Sequence, residues 1–429
     1  MILAAAVLGA ALGPARELGA GCRRAGWDGR TFTVHEWGTF TAVQGSGGVV
    51  LDGLLHEERD LPAFVYDLRD FAGLTGVSPK METPVIYFYS AGPRKVRVDV
   101  GFPRGVVTQW FPAATRVNHR GVRRGTPITD LRDGFIGWGS LGDLNVLAPG
   151  TDARVPRVRD DDPWRFARRV RANTLGVCNA NSARESAGSG VDFQYEKFLF
   201  YRGLGDFDLP LRAEVASETA GDDRCAVRLR LQNTRPDEPL AHLFVIRVQG
   251  GRSGFRYLPA LKGSTDLASL EIELRPVEES TGRLVGRLAA ALTATGLFPD
   301  EARAMARTWE RGYFQDEGLR VLYVLPRALV DRELPLKVTD HSGKAREFAV
   351  VRTFVGRLEV LSPEREARMV RALHDYAHGA AERRREAGAT IARWGRFAIP
   401  YLNRVRSLSA DAAVRAEAGT LLRDLQLRR

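Results

Sequence analysis

Cysteine is nearly missing from this chain: Cys22, Cys178 and Cys225 are the only three in 429 residues. That scarcity excludes a disulfide-dense small scaffold, and with no Cys-x-x-Cys spacing the zinc-ribbon and dithiol redox classes go too. Long apolar runs are equally scarce. Ile2 to Gly13 is the one candidate, and it is shorter than the roughly 20 residues a helix needs to cross a bilayer. The expectation is a mature chain with no transmembrane segment. No phosphate-binding loop occurs, since Gly250 to Gly254 (GGRSG) is not followed by lysine. No Gly-x-Ser-x-Gly elbow occurs either, which removes the common serine esterases. No internal repeat is visible.

What is present in excess is arginine. Lys and Arg number 63 against 52 acidic residues, a formal net charge of +11. The excess is scattered through the chain, with one mild concentration near the C-terminus. A nucleic-acid binder gathers its basic charge on one face, so no nucleic-acid partner is expected. The Ile2 to Gly13 run has the length of the apolar core of a secretory leader. Gly19-Ala20-Gly21 ahead of Cys22 has the small-residue character of a cleavage site. Residues 1–21 are therefore read as a signal peptide and the protein as exported, periplasmic or extracellular. Lipidation of Cys22 is disfavoured, because Leu18 stands one place too early for lipoprotein processing. With the leader gone, two cysteines remain, and an even pair in an exported protein points to a Cys178–Cys225 disulfide. Its closed loop would contribute about 4 kcal/mol.

Hydrophobic periodicity divides the rest. Val34 to Thr41 (VHEWGTFT) and Thr83 to Ser90 read as strands, and Val96, Val98, Val100 and Phe102 alternate with polar residues in the next. Val227, Leu229 and Leu231, then Leu270, Ile272 and Leu274, repeat that period of two. Ser280 to Thr295 changes to helical spacing, and Pro299 opens a second helix. Strands return at Leu319 to Leu325, Leu334 to Val338 and Phe348 to Val360. Ser362-Pro363 is an N-cap and first-turn pair for a helix striped by Met369, Val370 and Leu373. A second helix is expected over Ile391 to Arg406, bent at Pro400, and a third capped by Ser409. The fold class is α+β: a mainly antiparallel β-sandwich domain (28–360) with a two-helix excursion (280–312), then a helical domain (361–429).

Four segments, VHEWGTFT, KMETPVIYFYS (Lys80 to Ser90), EKFLFYRG (Glu196 to Gly203) and TWERGYFQDEGLRVLYVLP (Thr308 to Pro326), together resemble an uncharacterised family of exported bacterial proteins. The resemblance implies export and one continuous architecture. It implies no substrate, cofactor or catalytic residue.

Candidate chemistry has to come from the residues. His374 and His378 lie four apart on a helix, a spacing that suits zinc. Arg371 and Arg385 on the same flank oppose a cation, so no metal is assigned and the cofactor is unknown. Glu36 and Glu82 each stand near a strand start among aromatics and hydroxyls, with Glu57 and Glu58 between them. Glycoside hydrolysis needs two carboxyl groups about 5–10 Å apart. Glu36 and Glu82 are accordingly the catalytic candidates, with His35, Trp37, Tyr87 and Arg202 positioning substrate. Trp37, Tyr87, Tyr89, Trp110, Tyr195 and Tyr201 are candidate sugar platforms, or else core. Glu310, Asp316 and Glu317 complete a site if the Gly312 to Gly318 turn folds over the sheet. Two functions follow: a hydrolase acting on a glycan or similar extracellular polymer, or a non-catalytic binding or scaffold protein whose partner is a glycan or anionic envelope polymer. If the strand is regular, His35 and Glu36 point to opposite faces.

Overall fold

The computed structural model describes residues 27–54, 60–68, 77–118, 131–139, 144–151, 154–178, 193–342 and 348–427. The leader, Cys22, Glu57 and Glu58 lie outside the described residues. Among those described, 29% of the chain is helix and 41% strand, so the class is mixed, with large antiparallel sheets and a run of helices at the C-terminus.

The largest sheet has ten strands. Its order begins β17 (Arg275–Pro276), β15 (Arg252–Leu261), β14 (Leu240–Gln249), β18 (Gly318–Val324) and β20 (Ala349–Val360). It continues β1 (Thr33–Gln44), β3 (Lys80–Tyr89), β11 (Leu199–Gly205), β5 (Gly105–Phe111) and β2 (Tyr66–Asp67). The second sheet is β10 (Phe193–Glu196), β9 (Leu175–Cys178), β8 (Leu144–Val146), β4 (Arg94–Phe102), β7 (Gly134–Trp138) and β6 (Arg116–Asn118), with β19 (Leu336–Asp340) also on β4. A third, of three strands, is β12 (Leu211–Ala220), β13 (Arg224–Asn233) and β16 (Ala268–Glu273). Every pairing in the large sheet is antiparallel except that of β1 with β20 at its centre.

All twelve residues of β1 are buried, which requires cover on both faces. One core gathers Val34, Phe40, Ile86 and Phe88 with Val98 and Ile136 of the second sheet and Leu211 and Leu229 of the third. The other gathers Trp37, Val85 and Tyr87 with Leu284 and Leu288 of α2 (Val277–Ala294) and Met305 of α3 (Pro299–Thr308). The helical excursion is thus a lid on one face of the large sheet, inserted between two of its strands as the periodicity indicated. Pro299 occupies the first turn of α3, and Glu301 Oε2 accepts from the Phe298 amide at 2.8 Å, closing its N-terminus.

A third core holds the C-terminal helices α5 (Pro363–His378), α6 (Ala381–Ala392), α7 (Ala398–Leu408) and α8 (Ala412–Leu427). Met369, Leu373, Ile391, Trp394, Leu402 and Leu422 pack there against Val43, Leu51 and Leu54. The helical segment therefore borrows part of its core from the end of β1. Ser362 caps α5, its hydroxyl accepting from the Arg365 amide at 3.3 Å. Two expectations fail here. Ile391 to Arg406 is not one helix bent at Pro400: the break falls at Gly395, whose φ of +56° suits glycine. Pro400 sits in the first turn of α7, where its missing N–H costs nothing. The cap of α8 is Asp411, bonded to the amides of Ala413 and Val414 at 2.9 and 3.2 Å, rather than Ser409.

The expected disulfide is also corrected. Cys178 is on β9 and Cys225 on β13, in different sheets, and they are not bonded to each other. Cys225 is buried, and burial followed by the Glu218 carboxylate pushes its thiol up to about 11.

Candidate functional site

The site begins with a bulge in β3. Trp37 pairs with Val85 but Thr39 pairs with Glu82, so two steps along β1 match three along β3. The extra residue lies at Thr83-Pro84, where Thr83 has a φ of +50°. A β-branched residue in the left-handed region is strained by roughly 1–3 kcal/mol. Gly38 stands opposite, and a Cβ there would lie 2.8 Å from the Phe354 ring and 3.0 Å from Pro84. Glycine in VHEWGTFT thus makes room for the bulge.

An extra residue reverses the side-chain alternation beyond it. Glu82 therefore joins Val85 and Tyr87 on the helix-covered face, with His35, Trp37, Thr39 and Thr41. Glu36 points the other way. This separates the two carboxylates proposed as a catalytic pair: they lie on opposite sides of the large sheet. Glu36 is sealed, accepting from the Tyr201 hydroxyl at 2.5 Å and from Arg352 Nε. Burial, then the Glu36 carboxylate, holds the Tyr201 phenol well above its ordinary range.

The expected substrate-positioning residues also part company. His35 is buried and its Nδ1 lies 2.6 Å from Glu301 Oε2, which ties β1 to α3. Trp37 is fully buried against Tyr87, ring centroids 6.1 Å apart. Tyr87 is buried as well, its hydroxyl donating to the Ala167 carbonyl at 2.9 Å. Burial, then the Glu301 carboxylate, pushes the phenols of Tyr87 and Tyr89 well up. These rings are core, so Trp37 and Tyr87 offer no sugar platform. Arg202 is different: it donates to the Thr83 hydroxyl from Nε and Nη2, at 3.2 and 3.0 Å, and it lines an open cleft.

That cleft, of about 330 Å³, is also lined by Glu82, which is buried at its floor. Its walls include Thr83, Trp164, Phe198, Trp309 and Glu310. On the floor, Glu82 Oε2 accepts from the Thr41 hydroxyl at 2.6 Å. Lys80 Nζ lies 3.5 Å from Oε1, and Arg357 Nη1 lies 3.9 Å from Oε2. One wall is the π-helical turn Arg311–Gln315, a conformation that is common at functional sites. It is held from beneath: Tyr313 Oη is 2.5 Å from Thr39 Oγ1, Arg357 donates to the Gly312 carbonyl at 2.9 Å, and Arg320 donates to the Tyr313 carbonyl at 2.9 Å. Arg320, Arg357 and Arg396 all donate to one oxygen of buried Glu359.

The turn after Gly312 does fold over the sheet, but it disperses its acidic cluster. Glu310 reaches the cleft, Asp316 Oδ2 accepts from Arg396 at 2.7 Å, and Glu317 Oε1 accepts from the Gly250 amide at 2.7 Å. Thr83, Trp164 and Trp309 were not singled out from sequence. Thr83-Pro84 inside an otherwise regular aromatic strand was the available signal, since proline in a strand interior marks a bulge.

The helical histidines make a surface contact. Their ring centroids are 4.8 Å apart, and His378 Nε2 lies 2.7 Å from Asp411 Oδ2. Among the described residues no group of three or more His, Cys, Asp or Glu side chains is placed to hold a metal ion.

No protein-family model matches the chain, and no curated protein matches it in sequence.

Proposed function

We propose that this is an exported protein that recognises a terminal sugar or similar hydroxyl-rich group of an envelope polymer in the Glu82–Arg202 cleft. The observation that carries the reading is the bulge: a strained Thr83 binds Arg202, and Thr83, Glu82 and Arg202 all line the same cleft, with Glu82 3% and Arg202 8% exposed at its floor. Strain is retained where surrounding structure enforces it, and such sites are frequently ligand sites. About 330 Å³ is at the low end for small-ligand pockets, which suits one ring better than a long chain. A carboxylate and a guanidinium supply the acceptor and the forked donor that vicinal hydroxyls need. The same reading takes the three sheets as sandwich-type, because one core draws side chains from all of them.

A second reading, hydrolysis, keeps one observation in its favour: Glu82 and Glu310 line the same cleft. Glu310 would then replace Glu36 as the second carboxyl. Calorimetric titration against a panel of mono- and oligosaccharides, with Arg202→Ala and Glu82→Gln, tests the binding proposal. Each variant is expected to weaken the bound sugar at least tenfold with the fold retained by circular dichroism, Glu82→Gln also melting lower than the parent because Glu82 is buried beside Lys80. Unchanged affinity in both variants would remove the cleft from the proposal. Turnover of the same panel, lost in both Glu82→Gln and Glu310→Gln, would favour the hydrolase.

A further inference from the structure

The outer face of the second sheet carries a feature that the cleft does not use. Strand alternation puts Val96, Val98 and Val100 of β4 into the core and turns Lys95, Arg97 and Asp99 outward. Register extends that outward row across the sheet. Lys95 pairs with Asn145, Asn145 with Gly176, and Gly176 with Tyr195. Asp99 pairs with Lys337 on one side and Gly137 on the other, and Gly137 with Arg116.

At one end of this face two aromatic rings lie together. Phe193 and Tyr195, on edge strand β10, have centroids 6.2 Å apart and planes 24° from parallel. Phe193 is 37% exposed and Tyr195 half-buried. Tyr195 lies close over the backbone, because a Cβ at Gly176 would stand 3.1 Å from its ring. This is a ring platform open to solvent, unlike the buried Trp37 and Tyr87. Beyond it, Lys95, Arg97, Arg116 and Lys337 face outward, and among the described residues of that row the carboxylate is that of Asp99. Asp99 bonds both Arg97 and Arg116, at 2.7 and 2.8 Å. Lys95 lies three strands from Tyr195, roughly 14 Å at about 4.8 Å per strand.

We propose that this face binds an acidic polysaccharide, a polymer of sugar rings bearing carboxylates. The polymer runs across the strands, one ring resting on Phe193 and Tyr195 and its carboxylates over Lys95, Arg97 and Lys337. Charge complementarity selects an anionic partner, and the ring pair selects one with flat apolar faces. A nucleic acid on a sheet face stacks two or three bases on aromatics of central strands. Here the aromatic pair is on the edge, β4 presents only charged residues and Gly101 outward, and Phe135 of β7 is overlain by the Arg116 guanidinium at 4.9 Å. The surface shares no residue with the cleft and stands whether or not the cleft binds sugar.

The test uses the full chain with polygalacturonate as probe, dextran as an uncharged polymer and single-stranded poly(dT) as a polyanion without sugar carboxylates. Binding is read by affinity electrophoresis and by thermophoresis at several salt concentrations. Expected are retardation by polygalacturonate and none by dextran, at least a tenfold loss of affinity in Phe193→Ala/Tyr195→Ala, and a comparable loss with a shallower salt dependence in Lys95→Glu/Lys337→Glu. Lys95 and Lys337 are both exposed, so the charge variant keeps the test decisive if the aromatic variant misfolds. No retardation by polygalacturonate, equal affinity in both variants, or tighter binding of poly(dT) would each overturn the proposal.

Discussion

Removing Glu36 separates a structural role from a catalytic one. Its side chain is fully buried and its two oxygens serve Tyr201 and Arg352, both buried beside it. Glu36→Leu leaves the Arg352 guanidinium enclosed with only Asp331, whose carboxylate is 45% exposed, as a counter-charge. Breaking one partner of a buried pair costs about 3–5 kcal/mol. At roughly 2–4 °C per kcal/mol for a chain this large, the melting temperature should fall by about 6–20 °C. Arg352→Met should cost a similar amount. The double variant Glu36→Leu/Arg352→Met should recover most of the loss, because apolar residues of similar volume often replace such a pair at little cost. Thermal and urea unfolding of the four proteins gives the coupling, expected at about 2 kcal/mol or more. If instead Glu36→Gln melts within about 1 °C of the parent and abolishes ligand binding or turnover, the sealed-carboxylate account is wrong and Glu36 belongs to the site.

Three further outcomes follow from the fold. Reductant should change the melting of the parent and of Cys225→Ser equally, since Cys178 and Cys225 are not joined to each other; a response present in the parent and lost in Cys225→Ser would show a bridge between them. Gly38→Ala should destabilise by about 1–3 kcal/mol, because its methyl meets Phe354 and Pro84, and it should also weaken any ligand of Arg202 by shifting the bulge; a neutral result in both readouts would mean the bulge is not pinned there. Tyr87, Tyr89 and Tyr201 have phenols raised above the ordinary value of 10. Their neutral forms therefore stabilise the fold fully below pH 10, and that contribution fades as pH climbs towards their folded values. Titration at 295 nm should show these rings ionising together with unfolding, and early ionisation of all ten tyrosines in the folded protein would contradict their burial.

Much of the architecture was legible in one dimension. Period-two runs such as Val96 to Phe102 and Val227 to Leu231 have one buried face, and a half-buried strand writes that face into its sequence. The excursion helices and the Ser362-Pro363 start were readable for the same reason: caps and stripes are local. The break at Gly395 was missed because Pro400 looked like the stronger signal, yet a proline in a first turn is harmless. The arginine partners were not legible at all. Glu36 and Arg352 are 316 residues apart, and nothing local links them.

By itself the sequence determined the period-two strands, the excursion helices and the start of the C-terminal helices, and which residues are apolar enough to be enclosed. Only the tertiary structure decided which side of the central sheet each acidic side chain faces. One extra residue at Thr83-Pro84 shifts the pairing, and because strand side chains alternate with period two, that single step puts Glu82 on the side of the sheet that lines the cleft and leaves Glu36 on the other.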